Sequence, residues 1–318
     1  MVREVFHTTD LFKPFNDPDD HFDVAVQYCL MHISKSNLTH IIIDKPPLDK
    51  YKADEHALEE LNYIFKRKIN YFCINDIDEF ILYLKFELLK VKKKIDIHIC
   101  GSCEFIAKFA KKYPLLIKKK IHRIYLNAGS GVDSHNLEYN SELDKDAYSS
   151  IFDLPCQIYW LPCFHDADRL FAVGKYGSFF HFKQKEVLKD CSNELKNYFV
   201  NALEVIENEN IENLNKEIDI PTLNKIYEEN RNIYCLAGIL SSANLKVSLD
   251  GEIINTCSKR KVLYEFVPIK ILSNQSGRIV WKRSYNRFSR VHIFWVRNIN
   301  KYKEAMTKAL CSILSKSK

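Results

Sequence analysis

The chain has 318 residues, 46% of them hydrophobic and 28% charged, which excludes wholesale disorder. Its 8 Gly and 9 Pro are too few for a collagen-like or low-complexity chain. A mean hydropathy of -0.27 without a long uncharged apolar run excludes a membrane span. The net charge of +6 comes largely from Lys90 to Lys94 and Lys118 to Lys120, which fall where helices should end. Lysines there suit the helix dipole and solubility, so no nucleic-acid partner is expected. The opening MVREVFHTTD lacks the apolar core of a signal peptide. The ten Cys are scattered, mostly inside apolar runs such as those around Cys29, Cys73, Cys235 and Cys311, as in a reducing compartment. The expectation is a soluble cytoplasmic protein that neither spans nor binds a membrane.

Short β-branched runs alternate with amphipathic stretches along the first two-thirds. Strands are predicted at Val2 to His7, His40 to Ile43, Tyr71 to Ile74, Ile95 to Cys100, Ile121 to Leu126 and Gln157 to Leu161. Helices are predicted at Asp20 to Ser34, Asp54 to Lys68, Ile77 to Val91, Glu104 to Lys112 and Asp144 to Phe152. Strands separated by single helices imply βαβ units and an α/β fold with a mostly parallel central sheet flanked by helices. The last third reads as a charged helix from Glu186 to Glu209 and an Asn/Glu-rich connector from Glu207 to Glu217. Strands follow at Leu263 to Ile269 and Val291 to Val296, then a helix from about Asn300 to Ser315. With no Pro/Gly/Ser linker, one domain over 1–318 is expected, with a core over 1–165 and a late β-rich portion.

The densest chemical signal follows the first strand. His7-Thr8-Thr9-Asp10 is followed by Asn16-Asp17-Pro18-Asp19-Asp20-His21-Phe22-Asp23, five acids within fourteen residues. In a parallel sheet, ligands bind beyond the carboxyl ends of the strands. A hard cation such as Ca²⁺ or Mg²⁺ would compensate the clustered carboxylates. The competing explanation is a helix N-terminus with favourable first-turn acids, which accounts for Asp19 or Asp20 but not for Asp10 as well.

This acidic pattern resembles the N-terminus of the inosine–uridine-type nucleoside hydrolases and their diverged relatives. Three further segments fall in that family's order. The first runs Cys100-Gly101-Ser102-Cys103-Glu104-Phe105-Ile106-Ala107, then Tyr113-Pro114, then Ile121 to Gly129. The second holds Glu138-Tyr139-Asn140 and Leu143-Asp144-Lys145-Asp146-Ala147. The third is Pro155 with the strand Ile158 to Leu161. The resemblance covers about the first 165 residues. It implies a nucleoside hydrolase-like fold and Ca²⁺-dependent cleavage of the N-glycosidic bond of a ribonucleoside or related riboside. By the same resemblance Asp10 is general base and metal ligand, Asp20 a second metal carboxylate with Asp23 as its rival, and Asp19 a ribose contact. Glu104 occupies the place of a residue whose backbone carbonyl binds the metal. Glu138 and Asn140 match ribose contacts, and Asn127 is a further substrate-binding candidate. Family members are often dimers or tetramers, so a homo-oligomer is an option.

The chain departs from the family late. The family's His-Asp-Pro-Leu-Ala, which supplies a leaving-group acid and a metal carboxylate, is matched by Ile233-Tyr234-Cys235-Leu236-Ala237. A substitute acid would have to come from elsewhere, with Asp133 and Asp166 as candidates. The family's Asn for the ribose 5′-hydroxyl falls at Val132. The alternative is therefore a catalytically inactive riboside-binding protein. A thiol oxidoreductase using the C-x-x-C pair Cys100 and Cys103 is a distant third, since that motif follows several βα units instead of opening a small domain. Phe164-His165-Asp166-Ala167-Asp168 is read as an exposed loop, Tyr176 to Phe182 as core, and His292 as structural. No P-loop, G-x-G-x-x-G or G-x-S-x-G occurs.

Overall fold

A computed structural model describes residues 3–15, 17–204 and 210–318. Nine strands form one central sheet: β1 (Glu4–Thr9), β2 (Asn37–Ile43), β3 (Asn70–Cys73), β4 (Ile95–Ile99), β5 (Ile121–Asn127), β6 (Gln157–Leu161), β7 (Tyr264–Gln275), β8 (Arg278–Arg283) and β9 (Val291–Val296). Their order is β8-β7-β9-β6-β5-β4-β1-β2-β3. Only β7 runs against its neighbours β8 and β9; every other adjacent pair is parallel. The mostly parallel α/β architecture expected from the sequence is the one observed, and the late strands extend the same sheet. Val2 and Asn16 lie outside the described residues.

The period-2 alternation of β-branched residues divides the sheet between two apolar layers. Val5, Ile41, Ile43 and Tyr125 pack on one side with the helices Asp19–His32, Glu55–Ile64, Asn193–Leu203 and Ile299–Leu314. Phe6, Ile42, Ile97, Ile124 and Leu126 pack on the other with Ile77–Lys90, Glu104–Lys112 and Lys145–Ile151. Strands buried on both faces read as continuous apolar runs, which is why their periodicity was legible.

Three elements differ from expectation. The stretch from Glu186 forms two helices, Gln184–Leu188 and Asn193–Leu203, because Ser192 caps the second by accepting from Leu195 N (3.2 Å); 205–209 lie outside the described residues. The connector is anchored, not loose: Asn197 Nδ2 donates to Leu214 O (2.9 Å) and Lys216 O (3.0 Å), and Leu214 is buried. Pro114–Lys120 is an additional short helix with Pro at its first position.

β5 runs into a turn that only glycine fits. Gly129 has φ +83°, and a Cβ there would lie 1.9 Å from the Tyr148 hydroxyl. Gly129→Ala combines left-handed backbone strain with overpacking against a buried ring, and should cost about 2–4 kcal/mol. Urea denaturation checks this, and an unchanged midpoint would show that the turn relaxes freely.

Candidate functional site

The sheet order reverses between β1 and β4, and at such a switch point the strand ends leave a crevice. Hydrogen bonding carries the ladder one step beyond the strands. Asp44 N donates to Thr9 O (2.9 Å) and Cys100 N to Thr8 O (3.2 Å). The residues that follow three adjacent strands, Asp10, Asp44 and Cys100, are thereby held side by side. The following helix adds Asp19, Asp20 and Asp23 from its first two turns.

These carboxylates are poorly compensated. Asp19, Asp20, Asp23 and Asp44 are buried, and Asp10 and Asp17 are half-buried. Asp20 accepts a short hydrogen bond from Thr9 Oγ1 and shares another with Asp10. Two carboxylates share a hydrogen bond only if a proton or a cation lies between them. Burial, then the charges of Asp10 and Asp19, push the Asp20 carboxyl well above its usual range. Asp19 is raised for the same reasons, burial first, then Asp17 and Asp23. Burial and Asp10 raise Asp44, against the pull of the Ser102 N–H, which donates to it at 2.7 Å. Burial raises the Asp17 carboxyl, and the Arg231 guanidinium that pulls against this also bonds Glu229 at 2.8 Å. One shared guanidinium does not neutralise six acids. Gly101 lets Asp44 approach this closely: a Cβ there would lie 2.4 Å from Asp44 Oδ2.

The cluster opens on a cavity of about 390 Å³, a ligand-sized space. It is lined by Asp10, Asp17, Asp19 and Asn140, by the aromatic residues Phe164, Phe171 and Tyr234, and by Cys100 and Cys235. Asn140 Oδ1 is buried without a partner. A second cavity of about 290 Å³ shares Asp10 and reaches Asp44 and Glu104. A larger one, about 930 Å³, lies near the amino ends of β1 and β2 and is lined by Lys90, Lys92 and Lys94.

The remaining predicted site residues occupy the wall in different ways. Glu138 Oε2 accepts from Gly129 N (2.6 Å) and Ser141 N (3.2 Å), and Oε1 from Asn140 N (3.0 Å). It therefore caps the helix Tyr139–Leu143 and pins the Gly129 turn. Asn127 Nδ2 donates to Tyr234 O (3.0 Å) and Ser178 Oγ (3.1 Å), tying three wall segments together. Glu104 opens a helix, and its carboxylate pairs with Lys108. Asp23 sits deeper, beneath the cavity lining.

The two candidate substitute acids are elsewhere. Asp133 is exposed near Arg278 (3.8 Å), and Asp166 accepts from Ser134 Oγ (3.0 Å) and Asp168 N (3.0 Å). Asp168 itself caps a turn by accepting from His135 N (2.7 Å) and Asn136 N (2.8 Å); the 164–168 segment, expected as an exposed loop, buries Phe164 and Ala167 and sends Phe164 to the cavity wall. Val132 donates its N–H to His165 O (3.0 Å) and is absent from the cavity wall. Sequence reasoning missed Asp44, Phe171 and the cavity-facing position of Tyr234. Asp44 was findable, because it follows an apolar strand just as Asp10 does.

No protein-family model matches the chain, and no curated protein matches it in sequence. Solved structures do match in fold. An inosine-uridine preferring nucleoside hydrolase from Bacillus anthracis aligns over 99% of this chain and 100% of its own, with TM-score 0.51 and 14% identity. The effector protein XOO4466 aligns over 99% and 94%, with TM-score 0.55 and 12% identity. The type III effector XopQ, solved with adenosine diphosphate ribose, aligns over 99% and 92%, with TM-score 0.53 and 10% identity. The chain therefore has the nucleoside hydrolase fold.

Proposed function

We propose that this chain binds a riboside at the switch-point cavity and hydrolyses its N-glycosidic bond. The observation that carries the reading is the under-compensated carboxylate cluster that opens, together with aromatic residues, on one ligand-sized space. The oxygen donors fit a hard cation. Asp10 and Asp20, which share a hydrogen bond in its absence, would hold Ca²⁺, with the Glu104 carbonyl as a further donor. When bound, such an ion lowers the pKa of a water it holds. Asp10 takes the proton from the attacking water. Asp19 and the unpartnered Asn140 Oδ1 accept from ribose hydroxyls. The negative wall stabilises the oxocarbenium-like charge that develops on the sugar. Phe164, Phe171 and Tyr234 offer stacking surface for the leaving group.

The leaving-group side sets the chemistry apart. Ile233 is buried and carries no proton to give. Tyr234 has its phenol raised by burial and then by Asp19, so it is a neutral hydrogen-bond donor and a poor acid. Ribosides with good leaving groups should therefore be cleaved far faster than purine nucleosides. Calorimetry of metal-stripped protein with Ca²⁺, with and without ribose, followed by p-nitrophenyl riboside turnover, tests the reading. Ribose that tightens Ca²⁺ binding, with release of p-nitrophenolate, is the expected result. Ca²⁺ binding indifferent to ribose would overturn it. The second reading, a silent riboside binder, is favoured by Ile233 and Tyr234 standing where an acid is needed. It predicts ribose-linked Ca²⁺ binding without turnover. The relative XopQ, solved with a ribose-containing ligand, is compatible with either.

A further inference from the structure

Beneath the cavity lies a second cluster of different chemistry. Asp23, Cys100 and Cys235 each offer one ligand atom, and these atoms lie within 4.8 Å of one another. They come from the first helix, from the end of β4 and from the segment before the helix Leu236–Ser242. The topology alone brings them together, since Cys100 and Cys235 are far apart in sequence. All three are buried, and apart from a contact with the Cys235 thiol both Asp23 oxygens lack a hydrogen-bond partner among the described residues. A buried carboxylate left so is costly unless something binds it. Both cysteines also line the cavity, so one side of the cluster opens towards it.

We infer that Asp23, Cys100 and Cys235 form a site for Zn²⁺, with its fourth coordination position facing the cavity. Two thiolates and a carboxylate suit a borderline-soft ion of tetrahedral habit and do not suit Ca²⁺ or Mg²⁺, which take oxygen donors. Three protein ligands with one open position are the pattern of a reactive zinc site, as against a closed structural one. Ligand distances of about 2.0–2.3 Å require the three atoms to draw in by roughly 1 Å, within reach of side-chain rotation.

Burial raises the Cys100 and Cys235 thiols, so a cation would take them up as thiolates only by displacing their protons. Gln27 Nε2 donates to His98 Nδ1 (3.1 Å), which makes that nitrogen an acceptor. His7 Nδ1, 3.3 Å from His98 Nδ1, must then carry the proton between them. Cys100 Sγ lies 4.0 Å from His7 Nδ1, beside a proton already engaged by His98. The negative charges of Asp10 and Asp17 act on Asp23 as well and favour a cation there. Cys103, the other half of the C-x-x-C motif, takes no part: its charged neighbours are Glu138, Asp44 and Asp144.

The test uses the full-length, reduced, metal-stripped protein titrated with Co²⁺ as a spectroscopic stand-in for Zn²⁺. One equivalent should produce a thiolate-to-cobalt charge-transfer band and tetrahedral visible absorption, both removed by one equivalent of Zn²⁺. Cys100→Ser and Cys235→Ser should each abolish the band, and Asp23→Asn should weaken Co²⁺ binding at least tenfold. Asp10→Asn, which disables the proposed hydrolytic centre, should leave the band in place, so the two proposals fail separately. Absence of the band in the wild-type protein overturns the zinc site, whether or not the variants fold. A band that survives in a folded Cys100→Ser/Cys235→Ser protein overturns it too.

Discussion

Asp10→Asn should lower p-nitrophenyl riboside turnover by at least about 10³-fold while leaving the fold intact. The substitution keeps the size of the side chain, so the packing at the end of β1 is retained. It removes the group proposed both to hold the cation and to accept the proton of the attacking water. Loss of two roles at one atom pair is why the effect should exceed that of any other single substitution in the wall. Asp19→Asn, by contrast, removes one ribose contact and should mainly raise KM, by about tenfold. A second expectation follows from electrostatics. Asp10 contributes to the raised pKa values of Asp17, Asp19, Asp20, Asp23 and Asp44. Removing its charge should therefore stabilise the cation-free protein even as it abolishes turnover. Steady-state rates and urea denaturation on one preparation check both halves. An Asp10→Asn protein that still cleaves the riboside with Ca²⁺ dependence would end the assignment of Asp10 as base.

The contrast between what the sequence revealed and what it concealed has a physical basis. Strands such as Asn37–Ile43 and Ile95–Ile99 are buried on both faces, so apolarity marks them without tertiary knowledge. β8 is an edge strand with a single buried residue, Ile279, and its mixed pattern Arg278–Arg283 gives no such signal. At the site, Asp10 was legible because an acid just after a first parallel strand falls at the crevice. Asp19 and Asp20 were legible because they open the next helix. Asp23 was weighed as a rival calcium ligand from the family resemblance, but its thiol neighbours come from two distant segments, and a sequence pattern cannot show that. Cys100 was paired in sequence with Cys103, whereas folding pairs it with Cys235. The departure at Ile233 and Tyr234 was visible. That Tyr234 would line the cavity together with the acids was not, because its place in the wall depends on the turn before the helix Leu236–Ser242.

Chelator-treated protein should lose stability as pH rises from 6.5 to 8, and saturating Ca²⁺ should reverse the trend. Asp19, Asp20 and Asp44 have folded pKa values raised well above 3.8, chiefly by burial, and Asp23 is raised to about 7. An acid whose pKa is raised on folding binds more protons in the native state than in the unfolded one. Stability therefore falls with rising pH until the folded pKa is passed. Buried histidines act in the opposite sense at lower pH. Burial takes His7 down to about 3 and His21 to about 4, and holds His98 well below its ordinary range. The unfolded state takes up their protons below about 6.5, so acidification is also destabilising there. The two effects oppose each other below pH 6.5; above it the carboxylates lead, joined towards pH 8 by buried thiols such as Cys100 and Cys235, whose folded pKa values are also raised by burial. That leaves pH 6.5 to 8 as the window in which the melting temperature should drop. Calcium binds the ionised carboxylates, so its stabilisation should grow across the same window. At a hundredfold excess over Kd it amounts to about 2.7 kcal/mol, several degrees of melting temperature. A melting temperature that stays level or rises from pH 6.5 to 8 in chelator would mean that the acids are already neutralised within the fold. The need for a cation at the switch point, on which the hydrolytic reading depends, would then disappear.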